Sequence, residues 1–270
     1  MAEVLLHLEG VDVFQDGETT CKPLLKQLDL MVARGDFLAI IGANGSGKSV
    51  LGRVLAGVWP SLSGRYEVLA GTTFQIVFQQ PTTGMVGETV LEEIAFGLEC
   101  RQLPAADRVA IASYALQAVG LTASLHQPVE QLSGGQKMLL AIASAIALDP
   151  DVFLFDEVTA MAHPKLRRHL LSIARHLHAA GKTVIWITQF VQELVFADRI
   201  VCLDEGAIRF CGLPKRFFYD QNDEHIVICE AMGYALAPAI AWANQQKMLG
   251  KITVSHPLTV HDVLGESVRR

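Results

Sequence analysis

The sequence predicts an α/β fold built on a mostly parallel sheet that is interrupted by a long helical insertion. Three observations carry this. Phe37–Ile41 is a continuous apolar run with β-branched members between Gly35-Asp36 and Gly42, the pattern of a strand buried on both faces. Further short apolar runs, Phe153–Phe155 and Thr183–Thr188, are each separated from their neighbours by helical sequence, and such alternation indicates parallel strands joined by helices. Residues 88–148 are rich in Ala and Leu, with breaks at Pro104, Gly120 and Pro128.

In chain order, Val4–Leu8 reads as a short strand and Leu24–Val32, which alternates loosely, as a second. After Phe37–Ile41 a Gly-rich loop leads into a helix from Lys48 to Val58, stopped near Pro60. Phe74–Phe78 is the next strand. Pro164 suits the first turn of a helix running to Ala180, and Gly181 suits its end. Ile200–Phe210 reads as a hairpin turning at Asp204-Glu205-Gly206. Residues 213–270 read as a mainly helical tail.

The chain has 270 residues, enough for one large domain plus an appendage. The net charge of −6 argues against a dedicated nucleic-acid binder, which carries a basic excess. Hydrophobic residues make up 51% and charged residues 19%, the reverse of a disordered composition. Mean hydropathy is high, at +0.32. Even so, the longest apolar candidate, Met138–Leu148, contains Ser144 and falls short of the roughly 18 residues of a membrane span. The N-terminus has no basic segment followed by an apolar one, so no secretory signal is expected. The five Cys form no Cys-x-x-Cys pair, which fits a reducing compartment.

Gly42-Ala43-Asn44-Gly45-Ser46-Gly47-Lys48-Ser49 fits the phosphate-loop pattern G-x-x-x-x-G-K-[ST], with Val50 next. Glycines let successive backbone N–H groups face one concavity, and the following helix N-terminus adds positive potential. Lys48 would reach the outer phosphates, and Ser49 would be a ligand of Mg²⁺. Phe153-Leu154-Phe155-Asp156-Glu157 ends a buried strand in two acids, and the carboxyl ends of strands are where open α/β sheets bind ligands. Asp156 can hold Mg²⁺ there, and Glu157 can polarise an attacking water.

Leu132-Ser133-Gly134-Gly135-Gln136 opens a helix that Ser133 can cap. With the phosphate loop, this segment and the acid pair in that order, residues 2–212 resemble the ATPase subunit of an ABC transporter. The resemblance implies a P-loop NTPase (RecA-like) core with an N-terminal antiparallel β subdomain, an α-helical subdomain inserted at 82–148, and a C-terminal extension at 213–270 that could serve dimerisation. It implies two ATP molecules sandwiched in an ATPase dimer, with Ser133, Gly134, Gly135 and Gln136 meeting the γ-phosphate held by a partner chain. Gln79 matches the glutamine that senses Mg²⁺ and the membrane subunit. Phe14 sits where the family places an aromatic under adenine, though an ordinary core or surface Phe fits the position equally. Val77–Glu99 and Asp156–Pro164 look like the ATPases of energy-coupling-factor and cobalt-type importers of vitamins or transition-metal ions. This implies a peripheral protein on the cytoplasmic face of the membrane, a transmembrane coupling subunit and a second ATPase subunit as partners, and no nucleic acid.

Two positions depart from the family pattern. Gln189 stands where a His usually contacts the γ-phosphate, and His163 stands where an Asp usually precedes Pro. Gln donates a hydrogen bond but cannot titrate as His can. Either Gln189 still serves a slowly hydrolysing site, or this chain's own ATP site is degenerate and works within a heterodimer, or the two loops align differently. The second reading is adopted. The alternative function is a soluble ABC ATPase driving an assembly process such as iron–sulfur cluster formation. His169, His176 and His178 read as solvated positions rather than a metal site, because 176 and 178 do not share a helix face.

Overall fold

The computed structural model describes residues 3–15, 22–59, 62–99, 103–222, 226–249, 256–259 and 262. In chain order these form β1 (Val4–Val13), β2 (Leu25–Ala33), β3 (Phe37–Gly42), α1 (Lys48–Leu55), β4 (Leu62–Val68), β5 (Phe74–Val77), α2 (Val90–Glu99), α3 (Ala105–Ala118) and α4 (Gly134–Ala147). There follow β6 (Val152–Asp156), α5 (Pro164–Ala179), β7 (Thr183–Thr188), β8 (Arg199–Asp204), β9 (Ala207–Gly212), α6 (Pro214–Tyr219), α7 (Ile228–Ala231) and α8 (Pro238–Met248). The described part of the tail is helical, as the sequence suggests.

The strands make two sheets. A six-stranded sheet runs β5-β6-β7-β3-β8-β9, parallel as far as β8, with β8 and β9 closing as an antiparallel hairpin. A three-stranded antiparallel sheet runs β2-β1-β4. The parallel core, the antiparallel subdomain and the helices α2–α4 match the α/β class expected. β1 is longer than the strand read from sequence, and β4, Leu-Ser-Gly-Arg-Tyr-Glu-Val, was not anticipated. Its polar residues face solvent, so apolar alternation is weak there. At Gly64, φ is +82° and an added Cβ would collide with the carbonyl of Gly10, so only glycine lets β4 cross β1 at this point.

All six residues of β3 and of β7 are buried, as are all five of β6. Their alternate faces feed two separate hydrophobic clusters. Phe37, Ala39 and Ile41 join α4, α5 and Trp186 on one side. Leu38 and Ile40 join Leu51, Val54 and Leu55 of α1 and the leucines of β1 and β2 on the other. No described helix is long and apolar enough to cross a membrane.

Candidate nucleotide site

The phosphate loop leaves the C-terminal end of β3, the central strand of the sheet, and enters α1. A Cβ added at Gly42 would collide with Ser46 Oγ and the carbonyl of Leu203, so the loop folds this tightly only without a side chain there. Asn44, Gly45, Gly47, Lys48, Ser49, Val50 and Glu157 line one mouth of about 390 Å³. Buried Ser46 lies in the same loop, and its Oγ has no hydrogen-bond partner. Such a hydroxyl costs free energy until something donates to it or accepts from it.

Lys48 is 4% exposed. Its Nζ donates to the carbonyls of Gly42 at 2.9 Å and Ala43 at 3.1 Å and lies 3.2 Å from Glu157 Oε1. The carbonyl of Ala43 is therefore a functional group that the motif pattern leaves unspecified. Ser49 Oγ donates to Asp156 Oδ1 at 3.0 Å. Burial pushes the Asp156 carboxyl above the usual range, and the Ser49 hydrogen bond opposes that. The hydroxyl and the carboxylate are hard oxygen donors of the kind a small divalent cation takes. Among the described residues no group of three or more His, Cys, Asp or Glu could hold a metal by itself. A cation here would draw further ligands from phosphate and water.

Glu157 follows β6 with φ of +51°, a conformation that costs a non-glycine residue about 1–3 kcal/mol. Its N–H donates to the carbonyl of Ile187 at 3.1 Å, which pins the turn to the end of β7. The strained turn aims the side chain back at Lys48. Gln79 follows β5, whose last residue, Val77, is level with Phe155 of β6. With Ser49, Arg53 and Asp156 it lines a cleft of about 690 Å³ between the sheet and α2 and α4. Arg53 was missed in the sequence, although it lies one helical turn after Ser49.

The remaining candidates lie elsewhere. Phe14 is buried at 7% exposure, and its carbonyl accepts from Trp59 Nε1 at 2.9 Å. Ser133 and Gln136 close a capping box: Ser133 Oγ accepts from the Gln136 N–H, and Gln136 Oε1 accepts from the Ser133 N–H. Residues 133–136 line neither the mouth nor the cleft, and the Ser133-Gly134 end is exposed. Gln189 is exposed at the end of β7. His163 is the N-cap of α5 and its Nδ1 accepts from the Lys165 N–H at 3.4 Å, so the imidazole performs the capping a carboxylate would perform. Of the five Cys, Cys21 and Cys100 lie outside the described residues, and Cys202, Cys211 and Cys229 are free.

The family model described as ABC transporter matches residues 25–160. The energy-coupling factor transporter ATP-binding protein EcfA1 of Symbiobacterium thermophilum is 38% identical over 248 residues, covering 87% of this chain and 85% of that protein. Its namesake in Lacticaseibacillus paracasei is 39% identical over 207 residues, 72% and 74% of the two chains. Among solved structures, CbiO1 of Clostridium perfringens, described as part of the ABC transporter complex CbiONQ, superposes with a TM-score of 0.72 at 25% identity. That match covers 81% of this chain and 92% of CbiO1. The chain belongs to the ABC transporter family, among the ATP-binding proteins of energy-coupling factor transporters.

Proposed function

We propose that this chain is the ATP-binding and hydrolysing subunit of an importer of the energy-coupling-factor type, bringing in a vitamin or a transition-metal ion. The observation that carries the proposal is the convergence of Lys48, Ser49 and Glu157 on one mouth at the carboxyl ends of β3 and β6, with Asp156 joined to it through the Ser49 hydroxyl. Lys48 exchanges Glu157 for the outer phosphates of ATP. Ser49 and Asp156, with Gln79 across the cleft, hold Mg²⁺, which neutralises phosphate charge when bound. Glu157, released from Lys48, orients the attacking water and accepts its proton. Gln189 donates to the γ-phosphate from the end of β7. Catalysis is positioning and electrostatics, with no covalent intermediate on the protein.

The Ser133-Gly134-Gly135-Gln136 turn, exposed at its Ser133-Gly134 end, serves the ATP of a partner ATPase, and the cleft beside Gln79 receives a transmembrane coupling subunit. Phe14 lies at the adenine end. The protein works peripherally at the cytoplasmic face of the membrane, with residues 213–270 as an extension that helps pair the ATPases. Gln189 and His163 weaken turnover in this chain's own site, whose partner is a different ATPase. The alternative of a soluble assembly ATPase is not favoured, because the relatives above are named as transporter components. The test is steady-state hydrolysis by the purified chain, alone and with Gln189→His. Slow turnover that the substitution raises supports a degenerate own site. Rapid turnover that it leaves unchanged refutes it.

A further inference from the structure

Glu193 is the most deeply buried carboxylate among the described residues, at 2% exposure, and it lines neither the mouth nor the cleft. Its Oε2 accepts three hydrogen bonds: from Thr159 Oγ1 at 3.1 Å, Trp186 Nε1 at 2.9 Å and Thr188 Oγ1 at 2.6 Å. An acid placed so deep is costly unless its partners are specific, and these partners come from the loop after β6 and from the end of β7. Thr159 is two residues after Glu157, on the loop that runs to His163. Thr188 immediately precedes Gln189, and its Oγ1 also accepts from the Phe190 N–H at 3.0 Å. Phe190, the residue after Gln189, is also held. The Arg167 guanidinium lies over the Phe190 ring, 3.6 Å from the centroid. Arg167 is one turn along α5 from His163, and its N–H donates to the His163 carbonyl at 2.9 Å. The Arg167 Nε and Glu193 Oε1 face each other at 3.8 Å, both buried and neither hydrogen-bonded.

These contacts form a closed circuit: the Glu157 loop, Thr159, Glu193, Thr188, Gln189, Phe190, Arg167 and back to His163. We propose that Glu193 and Arg167 are positioning residues of the ATP site, joining the loop that carries Glu157 and the loop that carries Gln189 into one unit. This rests on the reading of Glu157 and Gln189 as groups of that site.

The test uses the purified full chain, so that the turnover read is that of the site Glu157 and Gln189 serve. Thr159→Val removes one limb of the circuit at nearly constant volume. Glu193→Gln keeps an oxygen for the three donors and puts an uncharged amide NH2 in place of the carboxylate oxygen that faces Arg167. Both are expected to lower kcat for ATP at least tenfold, with KM for ATP within twofold of the parent. Gln189→Ala is the reference. The Thr159→Val/Gln189→Ala double variant is expected to be no slower than the slower single, the signature of residues acting as a unit. The proposal is overturned if both circuit variants keep kcat within twofold, if KM moves as far as kcat, or if the losses in the double variant multiply. A Gln189→Ala chain with unchanged kcat overturns the reading of Gln189 and this proposal with it. A slowed Gln189→Ala chain beside unaffected circuit variants overturns this proposal alone.

Discussion

Lys48 and Glu157 are paired across the mouth of the phosphate loop, Nζ to Oε1 at 3.2 Å, with only 4% and 15% of their side chains exposed. The pair places the carboxylate where the lysine would otherwise meet phosphate. The lysine charge is thus kept partnered without ATP, and an incoming phosphate must displace the acid. Lys48→Ala is expected to raise the ATP dissociation constant at least tenfold, about 1.4 kcal/mol or more, as measured by calorimetric titration. Glu157→Gln is expected to retain ATP binding and to lose about 100-fold in hydrolysis, read by phosphate release.

Gln189 is exposed just beyond the buried strand β7. A histidine at this position could donate to phosphate and carry charge, which an amide cannot. Gln189→His is therefore expected to raise hydrolysis by the isolated chain about tenfold, with a new dependence on pH near the histidine pKa. The pH–rate profiles of both chains check this.

Ser133 makes both bonds of its capping box at the start of α4. Ser133→Ala is expected to cost about 1 kcal/mol of stability in the isolated chain, seen as a lower denaturant midpoint. Adding ATP without a partner chain is expected to leave that difference in place, because Ser133 does not line the chain's own mouth.

Asp151 accepts hydrogen bonds from the Thr73 N–H, the Thr73 hydroxyl and Arg34. These hold its carboxyl at about 2, below the usual value, with the Thr73 N–H the leading cause. A depressed carboxyl pKa stabilises the fold above the unfolded value of about 3.9, and this is lost as pH falls towards the folded one. Asp151→Asn is expected to cost about 1–2 kcal/mol near neutral pH, discounted for the side chain's partial exposure, and almost nothing near pH 2. Denaturation midpoints measured across that range test it.

The sequence makes legible what burial makes uniform. β3, β6 and β7 are apolar throughout because both their faces are covered, and their runs stand out without any structure. The phosphate loop and the acid pair are local in sequence, so their chemistry can be read from spacing. β4 escapes because half its surface is wet and its register depends on Gly64 passing Gly10. Glu193 escapes for a different reason. Its only trace is one acid within Val-Gln-Glu-Leu-Val-Phe, and its partners come from positions 159, 167, 186 and 188. Proximity of that kind is created by the order β6-β7-β3, which no local pattern encodes.

β3 has two interiors to satisfy at once, Phe37, Ala39 and Ile41 on one side and Leu38 and Ile40 on the other. It is a party wall, and the phosphate loop hangs from its end. A volume change that one compartment absorbs by repacking is transmitted through the backbone to the other. It then reaches a loop whose chemistry tolerates little displacement. These six residues therefore have almost no freedom to drift. Among copies of this machine that have diverged to serve other cargoes, β3 is where the ancestral text should remain most readable.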